Sequence, residues 1–455
     1  MIFTQTLYFA VVKGLAMDAS VKERLHLSAD ALYRLVRLGF HKIPDHRCGP
    51  VGVSLGDALL AAFALFALKA PSLLAFDQRR QTDEFNLKSL FGMKQIPCDT
   101  QMRTILDEVD PTHLRSSFTD VFRQLQRGKA LEPFAFFQGR YLLALDGTFY
   151  FSSEKIHCAS CLEKKSRNGK IAYSHQMLGA VLVHPDLREV IPLCPEPIIK
   201  QDGQTKNDCE RNATRRFLAH FRREHPYLPV IVLEDALSAN APHIADLDEH
   251  KLPFIIAIKP GSHASLFAQM QTAFEQGQAQ VLTLEDSKGT LWHYRWLDNA
   301  FLNESHPDVL VTMLELWQLQ ANGTQRQFTW ITRLPVNEAT APLLACGGRT
   351  RWHIENETFN TLKNQGYQFD HNFGHGHNNL SVVFALMMML AFLIDQTIQR
   401  CDRLFQALWE TLGSKRNLWE HVRGAFHYLQ LTSMHRLYQL ILSNYKATPP
   451  STNSS

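Results

Sequence analysis

The chain has 455 residues, of which 45% are hydrophobic and 20% charged, with a formal net charge of +3. These are ordinary values for a soluble globular protein, long enough for two or three compact units. So small a net charge excludes a global basic field as the basis of any nucleic-acid affinity, and eight cysteines are too few for a disulfide framework, which points to a reducing cytoplasm.

Residues 1–130 read as mostly helical. Leu27–Leu38 has helical apolar spacing, Asp57–Leu68 is an almost wholly apolar helix stopped by Pro71, and Asp99–Leu106 and Ser117–Leu125 look like two more helices. From about residue 135 strands take over. Tyr141–Asp146 is an apolar run that ends on a carboxylate and is expected to break at Gly147. A second run lies within His175–His184, and a third at Glu189–Cys194. Lys206–His225 is a polar, basic helix, followed by a strand at Val230–Asp235, a short helix at Ala241–Glu249 and a strand at Phe254–Lys259. Strands alternating with helices imply a mixed α/β layer structure over 135–277. Residues 278–335 contain four strand-like stretches in succession and form a β-rich insertion. Residues 336–395 return to helix, 396–448 form a helical C-terminal region, and the polar stretch 449–455 reads as disordered. No segment reaches the ~20 apolar residues that cross a bilayer. The longest, Val382–Ile394, reads as a buried helix, and the N-terminal stretch lacks a small-residue cleavage site, so neither membrane nor secretion is expected.

Three acidic positions carry the chemistry. Asp146 and Asp235 each stand at the end of an apolar strand, where open α/β sheets place their sites, although either alone is commonly just the start of a turn. The third lies in Arg351-Trp-His-Ile-Glu355-Asn-Glu357. Helical spacing puts Trp352, Glu355, Phe359 and Leu362 on one line, turning Glu355 inward, while Glu357 falls on a polar side with Thr361 and Asn364. An inward acid is costly unless a metal or a base compensates it, and Arg351, one turn earlier, is placed to pair with Glu355. Three carboxylates from three segments suffice for a pair of Mg²⁺ or Mn²⁺ ions and hence for metal-dependent phosphoryl transfer.

Three features stand beside the acids. Cys158-Ala-Ser-Cys161 is half of a structural zinc site, with Cys209, His175 and Cys194 as completing candidates. His371, His375 and His377 sit in a glycine-rich stretch past the third acidic segment, better suited to a turn or a DNA contact than to metal. Local basic clusters at 126–129, 164–167, 211–216 and 349–351 fit a surface that follows a nucleic-acid backbone; on the 206–225 helix Lys206, Arg211, Arg215 and Arg216 are placed to track phosphates.

The order Asp-Gly-Thr after a strand, a second Asp after a strand, a β-rich insertion and then Arg-Trp-x-Ile-Glu resembles the DDE transposases of bacterial insertion sequences. The segments PCDTQMRTILDEVDP, HCASCLEKKSRNG, KNDCERNA, EDALSANAPHI and RWHIENETFNTLKNQGY carry the likeness, from Cys98 to Asn379. It implies an RNase H-like mixed-sheet core with a β-rich insertion between helical flanks. Asp146, Asp235 and Glu355 would be the metal-binding triad, with Cys209 the preferred completing zinc ligand. It further implies a cytoplasmic, nucleoid-associated enzyme that recognises terminal inverted repeats through its helical N-terminal region, cuts and joins DNA, and works as a homodimer on its substrate. Arg211, Arg215, Arg351 and Lys363 are the candidate DNA contacts. Many relatives show a Tyr three positions before the Arg and a Lys seven after the Glu. Here Gly348 holds the first position and Leu362 the second, with Lys363 one residue late, so Glu357 stays open as an alternative third acid. A nuclease without strand transfer, or a DNA-binding derivative without catalysis, would share many of these features.

Overall fold

The computed structural model describes residues 24–200 and 208–445. The expectations for the N-terminal stretch, for Lys206 and for the 449–455 tail lie outside these residues.

Six helices come first: α1 (Ala29–Phe40), α2 (Leu55–Ala67), α3 (Leu73–Thr82), α4 (Glu84–Phe91), α5 (Asp99–Asp107) and α6 (Arg115–Arg127). Serines start three of them, since Ser28, Ser54 and Ser72 each accept a backbone N–H from the first turn. Every residue of α2 is buried, as expected of a helix apolar on all sides. After five helices of the core, the last helices are α12 (Leu380–Cys401), α13 (Arg403–Leu412), α14 (Lys415–Tyr428) and α15 (Met434–Asn444). They do not form a separate C-terminal unit. The Asp30 carboxylate accepts the first N–H groups of α15, Asn86 bonds the backbone around Leu429, and α12 lies against α2, so both helical flanks make one body. The apolar helix is longer than expected: α12 runs 22 residues, long and apolar enough to cross a membrane, yet it is buried throughout inside the protein and serves as its central helix.

The sheet begins with β1 (Ala135–Phe137), β2 (Arg140–Ser153), β3 (Leu162–Lys165), β4 (Ile171–Val183), β5 (Ile191–Pro192) and β6 (Glu196–Ile198). Helix α7 (Glu210–Glu224) leads to β7 (Val230–Glu234), and α8 (Ala241–Glu249) leads to β8 (Phe254–Ala257). β4 pairs antiparallel with β2, whereas β7 pairs parallel with β2 and β8 parallel with β7. An antiparallel meander extended by two helix-linked parallel strands is the RNase H-like mixed sheet that the resemblance implies. The third expected strand, 189–194, reduces to the short pairings of β5 and β6.

After α9 (Ala264–Glu275), the insertion supplies β9 (Gln280–Glu285), β10 (Leu291–Asn303), β11 (His306–Leu319) and β12 (Gln325–Thr332). It is no detached module. β12 pairs antiparallel with β8, and the strand order β3-β4-β2-β7-β8-β12-β11-β10-β9 runs unbroken through one sheet. The chain then passes through α10 (Ala341–Arg349) to the third acidic segment and α11 (Asn360–Asn364).

Candidate active site

Asp146 does not end its strand. β2 continues to Ser153 on its pairing with β4, and Gly147 lies opposite Leu178 rather than at a break. The glycine has another purpose: a Cβ there would meet Glu210 Oε2 at 2.5 Å. Absence of a side chain lets Glu210, the first residue of α7, close over the strand.

Across the parallel pair, Tyr141 faces Val230 and Ala144 faces Leu233. The same register two residues on sets Asp146 level with Asp235, directly beyond the end of β7. Neighbouring strands lie ~4.8 Å apart and equal steps from a paired position fall on one face, so the two carboxylates are neighbours on one side of the sheet. Asp235 also accepts the Leu237 N–H at 2.9 Å, which fixes the turn that follows. The adjacent Glu234 points the other way into a buried pair with His243 at 2.5 Å and serves the packing of α8.

Glu355 arrives by an irregular path. A 3₁₀ turn at Thr350–Trp352 gives way to a π-helical turn at Ile354–Phe359 before α11. These changes of pitch overturn the inward stripe, since Trp352 and Glu355 are exposed while Ile354, Thr358, Phe359 and Leu362 are buried. Glu355 therefore needs no compensation for burial, and it reaches the other acids through Arg351. The guanidinium donates to Glu355 Oε1 at 2.6 Å and to Asp146 Oδ2 at 2.9 Å, joining two of the three expected acids. Glu357 contributes to the field at the Lys415 ammonium of α14. The arrangement groups Glu355, and not Glu357, with Asp146.

One contact sets the height of this segment over the sheet. Gly179 lies opposite Asp146 on β4, and a Cβ there would meet the Phe359 ring at 2.8 Å and Ile354 Cδ1 at 3.5 Å. Gly179→Ala is accordingly expected to lift the π-helical turn, lowering metal-dependent DNA cleavage ~10-fold or more because a displacement of ~1 Å in a reacting group is costly. A variant with wild-type turnover would show that the segment moves freely at no cost.

The electrostatics describe a site overloaded with carboxyls. Burial pushes the Asp146 carboxyl up to about 6; Arg351 opposes the rise, and Glu355 and Asp235 add to it. Burial pushes Glu210 up to about 7, with Asp146, Asp235 and Glu234 contributing. Glu210 is a fourth acid at the site that the sequence reading did not pick out.

The remaining candidates are dispersed. Arg211 and Arg215 are exposed on α7, with Arg211 bonding the Leu237 carbonyl at 3.4 Å and Arg215 paired with Asp246 at 3.1 Å. Lys363 pairs with Asp370 at 3.5 Å. Arg351 is committed to the acids, which leaves it poorly placed as a DNA contact. Cys209 is exposed immediately before α7 and stands outside the group around Cys158 and Cys161, where His175 and His375 take its place.

No curated protein matches the chain. Among solved structures it is similar to a piggyBac transposase in a synaptic complex with hairpin DNA, known by cryo-electron microscopy. That likeness has a TM-score of 0.38 and 11% identity over 96% of this chain and 87% of that one. The transposase DDE domain family matches residues 139–393, a span that begins just before β2, holds Asp146, Asp235 and Glu355, and ends within α12. With more than half of its length inside that match, the chain belongs to the DDE transposases and is a DNA transposase.

Proposed function

We propose that this transposase cuts DNA at the ends of its own element and joins the freed 3′ hydroxyl to target DNA. Asp146, Asp235 and Glu355 would hold two Mg²⁺ or Mn²⁺ ions for the reaction. The observation that carries this reading is the register of β2 and β7, which sets Asp146 level with Asp235 just beyond β7, together with the Arg351 bridge from Asp146 to Glu355.

The residues fit such a cofactor. Arg351 bonds two of the carboxyls, Asp146 and Glu355, while Asp146 and Glu210, raised first by burial, are each raised further by neighbouring carboxylates. An all-oxygen donor set suits a hard divalent cation. Bound there, the ions supply activation of the attacking hydroxyl and neutralisation of the leaving oxygen. The protein contributes position: β2 and β7 fix two carboxylates rigidly, and Arg351 keeps Glu355 within reach of Asp146. The exposed Arg211 and Arg215 on α7 would then meet backbone phosphates entering beside Asp235. A homodimer holding two element ends is the assembly proposed.

Protonation gives this reading a pH signature. A carboxyl raised from 3.8 to about 6, as Asp146 is, keeps its proton in the folded chain where the unfolded chain has lost it. The native state gains from that proton at low pH, and the gain is lost as pH rises towards about 6. Cation binding requires the deprotonated form, so the rise in melting temperature produced by Mg²⁺ is expected to be small near pH ~5.5 and to grow through pH ~7.5. A shift independent of pH would place the cation elsewhere.

The functional test uses purified protein, the inverted repeats that flank the gene as labelled DNA, and Mg²⁺. Joining of a precleaved end to a second DNA is expected. Cleavage without joining would mark a nuclease, and binding without either reaction would mark a DNA-binding derivative.

A further inference from the structure

A cluster of metal-ligating side chains lies on the same sheet, away from the carboxylates. Cys158 and Cys161 sit in the turn between β2 and β3, His175 lies on β4, and His375 belongs to the loop between α11 and α12. Four ligand atoms from these three segments lie within 4.8 Å of one another. The two sulfurs are 3.8 Å apart, and His175 Nε2 is 3.3 Å from Cys158 Sγ and 3.4 Å from Cys161 Sγ. His375 Nε2 is 3.3 Å from Cys161 Sγ. A tetrahedral zinc with Zn–S of ~2.3 Å and Zn–N of ~2.0–2.1 Å requires S···S of ~3.8 Å and S···N of ~3.5 Å, close to all four of these separations.

The surroundings support a metal over a simple packing cluster. His175 is fully buried and His375 nearly so, and each ring turns Nε2 to the thiols while its Nδ1 has no partner. Two buried imidazoles facing only sulfur would be costly to desolvate without a cation to coordinate. The turn is built for chelation: the Cys161 N–H donates to the Cys158 carbonyl at 3.2 Å, and the Cys158 N–H points at Cys161 Sγ at 3.5 Å. His375 is held in place from outside the cluster. Asp107 at the end of α5 accepts the His377 and Asn378 N–H groups at 2.8 and 3.0 Å, and Gly376, with φ of 69°, passes so close that a Cβ would strike that carboxylate.

We infer that Cys158, Cys161, His175 and His375 bind one structural zinc ion. Four protein ligands leave no open position, so the site is not a second reaction centre. His175 lies four residues along β4 from Gly179, the residue opposite Asp146, or about 13 Å at the rise of a strand. The ion would fasten the chain that leaves the Glu355 segment to the meander that carries Asp146. The inference stands on these ligands alone and does not depend on the carboxylate chemistry.

Metal analysis of the purified full-length chain tests it. One zinc per chain is expected after dialysis against a weak chelator, with Cys209→Ser and Cys194→Ser retaining it, while Cys161→Ser and His375→Ala fall below ~0.2 equivalents. Should those two variants fail to fold, the wild-type chain refilled with Co²⁺ decides, since two thiolates and two imidazoles in a tetrahedron give intense visible absorption and a thiolate charge-transfer band. Wild-type protein without zinc, zinc retained in Cys161→Ser, zinc lost in Cys209→Ser, or an octahedral cobalt spectrum would each overturn the assignment.

Discussion

Asp146→Ala and Asp235→Ala should each lower Mg²⁺-dependent cleavage and joining by on the order of 10³ or more, the scale for removing groups that stabilise developing charge. Asp146 is fixed within β2 and Asp235 directly beyond β7; Glu234 is spent on His243, and Glu210, the further acid at the site, is pushed up to about 7 by burial and holds its proton too readily to substitute. Glu355→Ala should fall in the same range. Glu357→Ala should stay within ~3-fold of wild type, because the Arg351 guanidinium joins Glu355, and not Glu357, to Asp146. The measurement is product formed from a labelled element end, with binding followed separately by mobility shift. Retained affinity with lost chemistry assigns the effect to the site. Full activity in Glu355→Ala with loss in Glu357→Ala would move the third acid by two residues.

The largest stability effect is expected far from the acids. Lys69, just past the end of α2, has φ of 54°, a left-handed backbone where glycine is the usual choice. Its fully buried ammonium pairs with Asp395 of α12, donates to the Ala67 carbonyl at 3.3 Å, and lies 4.1 and 4.0 Å from the Tyr367 and Trp419 ring centres. The Tyr367 hydroxyl also donates to Asp395. Burial pushes the Asp395 carboxyl up and the Lys69 ammonium down, and each opposes the other's shift. The charges therefore persist only as a pair. Removing one partner leaves an unmatched buried charge, so Lys69→Ala or Asp395→Ala should cost about 3–5 kcal/mol in urea unfolding, whereas Lys69→Met with Asp395→Leu should recover most of it. A double variant no better than the singles would mean that the pair itself, and not its completeness, stabilises the junction.

Much of the candidate site was legible in the sequence because local pattern encodes it. Asp146 and Asp235 end apolar runs that could only be interior strands, and α8 appeared with its observed limits, Ala241–Glu249, from its flanking loops. Where tertiary contact decides, sequence reading failed. Gly147 looked like a strand breaker, but its role is to admit Glu210, and nothing within β2 announces a helix lying above it. Glu210 opens a strongly basic helix, so its neighbours in sequence disguise it; the signal was the KNDCERNA segment, read for its cysteine instead of its acid. The stripe through Trp352 and Glu355 assumed one helical pitch over a stretch that uses three. His375 joins Cys158 and Cys161 across more than two hundred residues, a distance no spacing rule spans.

The insertion leaves the core at the end of β8 and returns as β8's own neighbour, β12, antiparallel to it. Entry and exit thus lie side by side within one sheet, and whatever is built between them is a detour with no net displacement. Away from the packing of Trp292 on Arg349 of α10, β9, β10 and β11 can lengthen, shorten or change their surface while Glu355 keeps its place over β2 and β4. The fold separates what must be conserved in space from what is free to vary: a fixed reaction centre, and beside it a margin on which new contacts can be tried without moving a carboxylate.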